Sequence, residues 1–229
     1  MKLELLCLSF LFLPLLGDEM AGGPRGSAHD FPFIARLNIQ GLPCTGSLVK
    51  DNLILTATHC FVRNEHGTAS FFDTQGGHKD KNQFSVKMKL VKKYPNSDLA
   101  LARLARKVRN IKPLKIYKRK LNPGTTVKAI GYGMHGFRQN DGDLRHLDLK
   151  VTYNSGNYIG TKIGRNNEGP CAGDSGGPLL IQTGNSYAVA GTLYGLGYDC
   201  RSNTVFPGHP DDKWSSVRVM KSGDLRRFG

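Results

Sequence analysis

What this 229-residue chain lacks narrows its class before any motif is read. Beyond the first residues, no apolar run approaches the ~18–20 residues of a membrane-spanning helix. Glycine is frequent, at 28 residues, but keeps no three-residue period, which excludes a collagen-like chain. No charged heptads point to a coiled coil, and there is no fixed-period repeat or low-complexity segment. No Cys/His spacing fits a zinc site. No zinc-finger, RNP-type aromatic or helix-turn-helix pattern supports specific nucleic-acid recognition. No Asn-X-Ser/Thr triplet occurs, so N-glycosylation is not expected. Disorder is excluded from the other side: 39% hydrophobic and 9% aromatic residues are too many for it. The length suits one domain of the larger all-β kind, or two small ones, around a buried core.

Five cysteines are an odd number, and the N-terminus accounts for it. Lys2 precedes an almost wholly apolar run from Leu5 to Leu16, broken by Ser9 and Pro14 and closed by Gly17 before Asp18 and Glu19. A helix of that length, at ~1.5 Å per residue, falls short of a ~30 Å hydrocarbon core. Residues 1–17 therefore read as a secretory signal peptide. Its removal takes Cys7 and leaves Cys44, Cys60, Cys171 and Cys200, an even count that suggests two disulfides in an exported chain. Four cysteines allow three pairings, and proximity in sequence does not choose.

The remainder reads as β. Short apolar or alternating runs occur at Phe33–Ile39, Gly46–Val49, Leu53–Thr58, Phe84–Val91, Ala100–Leu104, Thr126–Ile130, Leu147–Val151, Pro178–Gln182 and Tyr187–Leu193. Breakers such as Gln75-Gly76-Gly77, Asn122-Pro123-Gly124 and Thr183-Gly184-Asn185 separate them. This spacing predicts a sandwich or pair of barrels rather than βαβ units. A helix is expected only near the C-terminus, from about Lys213 to Met220.

In Cys171-Ala172-Gly173-Asp174-Ser175-Gly176-Gly177-Pro178-Leu179, a serine is enclosed by glycines beside an acid. A serine hydroxyl needs a base to take its proton, and that base needs a group to orient it. Of seven histidines, His59 stands apart: it ends the apolar run Leu53-Ile54-Leu55-Thr56-Ala57-Thr58 and precedes Cys60. An acid, Asp98, stands at the mouth of another apolar run, Leu99-Ala100-Leu101-Ala102.

With these segments in the order His59, Asp98, Ser175, the chain resembles the trypsin/chymotrypsin family of serine proteases, including its granule-stored members. Thr56-Ala57-Thr58-His59-Cys60 and Gly173-Asp174-Ser175-Gly176-Gly177-Pro178 carry the likeness. Cys44-Thr45-Gly46-Ser47-Leu48, Phe31-Pro32-Phe33 and Ile130-Gly131-Tyr132-Gly133 support it. The resemblance implies two six-stranded antiparallel β-barrels with the active site between them and a short C-terminal helix. It implies a Ser175 nucleophile, a His59 general base and an Asp98 that orients His59. The oxyanion hole would be the backbone N–H groups of Gly173 and Ser175. Pairings Cys44–Cys60 and Cys171–Cys200 follow from the same likeness, each contributing ~3–4 kcal/mol in the chain-entropy picture. No metal or cofactor is expected.

The family's activation device is also implied: a new α-amino group pairs with the acid before the nucleophile, here Asp174. Met20-Ala21-Gly22-Gly23 supplies the apolar residue and glycines, with Met20 where Ile or Val is usual. Only Asp18-Glu19 would separate signal peptide from Met20, like the acidic propeptide of granule-stored immune proteases; no Arg or Lys precedes Met20 for tryptic cleavage. The reading is thus a zymogen with a peptidase domain over residues 20–229, made for secretion or storage in secretory granules. The pocket floor falls at Gly169 rather than an acid, which disfavours Arg/Lys specificity. Tyr194, Gly195 and Gly208 are assigned to the pocket walls, and the serine that normally supports the catalytic acid is absent there.

Charge adds a second theme. The chain carries 32 Lys and Arg against 18 Asp and Glu, a net +14. Without residues 1–19 the counts are 31 and 15, a net +16. Attraction to sulfated glycans or other polyanions follows. Expected partners are protein or peptide substrates, protease inhibitors and such polyanions, with the protein a monomer. Two functions stay open: an active secreted serine endopeptidase, or a catalytically weak or inactive homologue acting as a cationic polyanion-binding or antimicrobial protein. An α/β-hydrolase is set aside, because it needs alternating helices and a histidine after the serine; only His209 follows Ser175.

Overall fold

Burial along individual strands shows why these residues form sheets. Across residues 84–93, Val86, Met88 and Leu90 are buried while Ser85, Lys87 and Lys89 are exposed, the period of two of a half-buried strand. Residues 53–57, by contrast, are buried throughout, and so read as an unbroken apolar run. The structure is a computed structural model describing residues 23–27, 29–71, 84–94, 98–134, 142–154, 158–162, 169–196 and 214–218.

The first half contains β1 (Ile34–Ile39), β2 (Leu42–Lys50), β3 (Leu53–Ala57), β4 (His66–Phe71), β5 (Phe84–Lys93) and β6 (Leu99–Leu104). They close into an antiparallel barrel in the order β1-β2-β3-β6-β5-β4. The second half contains β7 (Lys115–Ile116), β8 (Thr126–Gly131), β9 (Arg145–Asn154), β10 (Tyr158–Lys162), β11 (Pro178–Thr183), β12 (Ser186–Leu196) and β13 (Trp214–Arg218). Its sheet runs β11-β8-β9-β10-β13-β12-β7. A further β11–β12 pairing returns the six antiparallel strands on themselves, with β7 lying parallel on β12.

Every expected strand is present, and the all-β double-barrel expectation holds. The helix expected over about 213–220 is corrected: Trp214–Arg218 is a strand, paired with β10 on one side and β12 on the other. Its aromatic and β-branched residues favour extended backbone, and the two neighbours supply hydrogen-bond partners that a helical turn would forgo. The unexpected strands β4 and β10 are interrupted by glycine, which masks their pattern, and β7 is too short to register.

Three apolar clusters organise the interior. One fills the first barrel, with Leu37, Leu48, Ile54, Phe71 and Val86 among its members, and another fills the second, with Val127, Leu149, Leu179 and Ala190. The third draws on both halves: Ile34, Leu53, Leu55, Leu99 and Leu101 pack with Ile130, Leu180 and Val189. Strand β3, and β6 as far as Ala102, thus bury both faces, one inside their barrel and one against the other half, while Arg103 near the end of β6 stays exposed. This double burial fixes where their ends emerge.

Candidate active site

In the β3–β6 ladder Ala57 lies opposite Leu99. The residues just past that pair, Thr58-His59 on one strand and Asp98 on the other, therefore leave the barrel side by side. Thr58 N–H donates to the Asp98 carbonyl at 2.7 Å, and Thr58 Oγ1 donates to the Leu99 carbonyl at 2.8 Å. His59 N–H donates to Asp98 Oδ1 at 2.8 Å, while His59 Nδ1 lies 2.5 Å from Oδ2. A carboxylate at Nδ1 requires the proton there, leaving Nε2 as the free basic nitrogen. The His59 side chain is 39% exposed and that of Asp98 only 11%, so the ring faces solvent and the acid is sheltered. A 3₁₀ turn over Thr58–Phe61 carries His59, and the Cys44–Cys60 disulfide ties that turn back to β2. Closing a loop of this size contributes ~3 kcal/mol.

Ser175 sits between Cys171 and β11 in a loop of tight turns. Asp174 N–H donates to the Cys171 carbonyl at 3.0 Å, and Gly177 N–H to the Asp174 carbonyl at 2.8 Å. Gly173 adopts φ +98°, left-handed backbone that a side chain would strain. On the far side, Gly176 N–H donates to the Leu193 carbonyl at 2.9 Å and Leu193 N–H to the Gly177 carbonyl at 2.7 Å, so β12 holds the loop directly.

One residue joins the two halves of the site. Thr45, on β2 and fully buried, donates its N–H to the Ser175 carbonyl at 2.9 Å. Its hydroxyl donates to the Gly173 carbonyl at 2.9 Å and accepts from Tyr132 N–H at 3.0 Å, while its own carbonyl accepts from Thr56 Oγ1 at 2.8 Å. The sulfur of Cys60, beside His59, lies 3.7 Å from the Ser175 carbonyl oxygen; being in a disulfide it carries no proton, so this is packing. The histidine turn and the serine loop are thereby in contact.

Asp174 is buried at 1% exposure. Its Oδ1 accepts from Gly133 N–H at 2.8 Å and its Oδ2 from Cys171 N–H at 2.7 Å. The space is made by glycine: a Cβ on Gly133 would lie 2.5 Å from Asp174 Cγ, and one on Gly131 would overlap Oδ1. Loss of water pushes its pKa up to about 7, against the opposing pull of the two N–H donors and of buried Arg145.

The trypsin family profile matches residues 20–210. The chain belongs to the trypsin family. Cathepsin G of Homo sapiens is 29% identical over 205 residues, covering 77% of this chain and 79% of that protein. Granzyme B of Rattus norvegicus is 29% identical over 218 residues, covering 80% and 85%. Among solved structures, one titled "Atomic resolution structure of HBP" superposes with a TM-score of 0.68 at 21% identity, covering 90% of this chain and 93% of that one, a likeness of fold.

Within this trypsin-family chain the expected site residues fall into two groups. His59, Asp98, Gly173, Asp174 and Ser175 lie in connected loops, and Cys44 and Cys60 form the expected bridge. Cys171 is also disulfide-bonded. Gly169 is buried outside regular structure, Tyr194 is exposed on β12, and Gly195 follows it on the same strand. Met20, Cys200 and Gly208 lie outside the described residues. Both Asp98 oxygens are held by His59 alone; among the described residues no hydroxyl of β12 reaches them. Sequence reasoning missed the role of Thr45, because its hydroxyl partners lie 87 and 128 residues away. It also missed Arg145, which reads as one more basic residue on a strand. The Gly131-Tyr132-Gly133 signal was visible without its reason, the Asp174 carboxylate.

Two outcomes follow. Thr45→Val keeps the shape but strands the Tyr132 N–H and the Gly173 carbonyl in a dry site, at about 1–3 kcal/mol each. Denaturant unfolding should show that loss, while Thr45→Ser should fall within about 1 kcal/mol of the parent; equal stability of all three would remove the clamp. The second outcome concerns pH. In a chain where residues still precede Met20, folded Asp174 keeps its proton to about pH 7, whereas the unfolded carboxyl releases it near 3.8. Unfolding is then favoured at each step upward, and stability should fall by about 4 kcal/mol between pH 4 and 7. Subtracting the Asp174→Asn melting profile from the parent's should isolate this slope; a flat difference would refute it.

Proposed function

We propose that this chain is a secreted serine endopeptidase, and the observation that carries the reading is the double hold of Asp98 on His59 beside a serine loop clamped by Thr45. Ser175 Oγ attacks the peptide carbonyl carbon while His59 Nε2 takes its proton; the C–N bond breaks as His59 returns that proton to the leaving amine. Water, activated by the same nitrogen, then hydrolyses the acyl-enzyme. Asp98 keeps the Nδ1 tautomer and balances the imidazolium. The N–H groups of Gly173 and Ser175 receive the oxyanion, a role in which losing one donor typically costs ~10²–10³ in rate.

Activation in this reading is removal of residues 1–17 as signal peptide and of Asp18-Glu19 as a propeptide, leaving a peptidase domain over residues 20–229. The Met20 ammonium then pairs with Asp174 and lowers the pKa that burial raises. In support, the segment after Met20 lies along β9: Gly26 N–H donates to the Leu144 carbonyl at 2.8 Å and His146 N–H to the Pro24 carbonyl at 3.2 Å. Gly23 is buried, and the three residues from Met20 to it span up to ~10 Å. Gly169 at the pocket floor offers no carboxylate to a basic side chain, so an apolar or small residue is the preferred side chain before the cut, with Tyr194, Gly195 and Gly208 forming the walls. Secretion or granule storage, protein substrates and protein inhibitors complete the assignment.

One observation favours the weak or inactive alternative: Asp98 lacks a supporting hydroxyl from β12. Profiling the mature form against a peptide library beside Ser175→Ala decides between the two. Turnover should fall on the order of 10³-fold or more in the variant, with cleavage after apolar or small residues. Equal turnover would sink the peptidase reading, and cleavage confined to Arg and Lys would overturn the pocket reading.

A further inference from the structure

On the outer face of the first barrel, three cationic-type side chains stand directly opposite one another on adjacent strands. His66 of β4 pairs in register with Lys89 of β5, and Lys89 with Arg103 of β6. All three are exposed. Directly opposed residues have Cβ atoms ~4.5–5.5 Å apart, and like charges in that relation destabilise a sheet. Lys87 adds a further charge ~7 Å along β5 on the same face, with Thr68 opposite on β4. No carboxylate among the described residues pairs with His66, Lys87, Lys89 or Arg103. The other half of the molecule does the reverse. There Lys128 on β8 faces Asp148 on β9 in register, with Nζ 2.5 Å from Oδ1. An uncompensated row is therefore a local departure rather than the habit of this chain.

We propose that this row is a binding site for a linear sulfated glycan. Across three strands it spans about 10 Å, and with Lys87 it forms an L-shaped set of exposed donors on the outside of the barrel. Sulfates spaced along an extended polysaccharide supply anions to several of these side chains at once and relieve their mutual repulsion. Single-stranded nucleic acid suits the surface less well, because its binding draws on exposed aromatic rings for base stacking. Phe84, on β5, is stacked on Phe71 and covered by the Arg106 guanidinium 5.3 Å from its centroid. The site is separate from His59 and Ser175, so it stands whether or not the chain hydrolyses peptides.

Heparin tests it. In calorimetric titrations at one salt concentration, Lys87→Gln, Lys89→Gln and Arg103→Gln combined should raise the Kd for heparin about tenfold or more. A control with the same charge loss in the exposed segment between β7 and β8, Lys118→Gln with Arg119→Gln and Lys120→Gln, should raise it less than about threefold. The row variant should melt no lower than the parent, which excludes misfolding, and Lys89→Gln alone should weaken binding measurably. Ser175→Ala should bind heparin like the parent, keeping this result distinct from that of the peptidase. Equal weakening by the two triple variants would mean net charge without a site. Equal sensitivity of phosphatidylserine vesicles or a single-stranded oligonucleotide to the row variant would overturn the choice of a glycan.

Discussion

Thr45 is where the two halves of this molecule become one site. Each half satisfies its own backbone, the first as a closed barrel and the second as a sheet that returns on itself. The apolar layer between them is large but non-directional; it brings the halves together without fixing a hydroxyl against an imidazole. Direction comes from hydrogen bonds, and Thr45 places four of them in a dry environment: to the carbonyls of Ser175 and Gly173, from the amide of Tyr132 and from the hydroxyl of Thr56. Since Thr45 is next to Cys44, the disulfide that secures the His59 turn and the clamp that secures the Ser175 loop issue from neighbouring positions on β2. One strand indexes both chemical groups.

The same loop holds a buried carboxylate that gains little from being there as a single chain. Asp174 has two amide donors and the attraction of Arg145, which do not offset its loss of water. Two glycines are spent on making room for it. A group so placed is poised for a cation, and the proposed Met20 ammonium supplies one. The physical content of activation in this reading is the exchange of a half-neutral buried acid for a buried ion pair, with the loop carrying Gly173 and Ser175 as the part that responds.

Much of this was legible in the sequence. The apolar runs 53–58 and 99–102 announced strands, with His59 and Asp98 at their ends; that an antiparallel ladder brings those two ends side by side is a property of the fold. What stayed hidden depends on distance or on masking. Thr45 is an ordinary strand residue until the fold delivers Tyr132 and Gly173 to its hydroxyl. Trp214–Arg218 does not declare itself, because five residues carry too little periodicity, and only β10 and β12 on either side define it as a strand. The basic residues were visible as a count, whereas their alignment across β4, β5 and β6 is a property of register.

The proposed chemistry and the proposed glycan surface lie apart, one where the ends of β3 and β6 meet the loop before β11, the other on the outer face of β4, β5 and β6. The central claim is that the fold turns Ser175 into a nucleophile through His59. Mass spectrometry after treating the mature chain with a fluorophosphonate tests that claim most directly. The account predicts one adduct per chain, on the peptide containing Ser175, and its absence from His59→Ala. No adduct on the folded parent, or labelling of Ser175 that persists undiminished in His59→Ala, would contradict it.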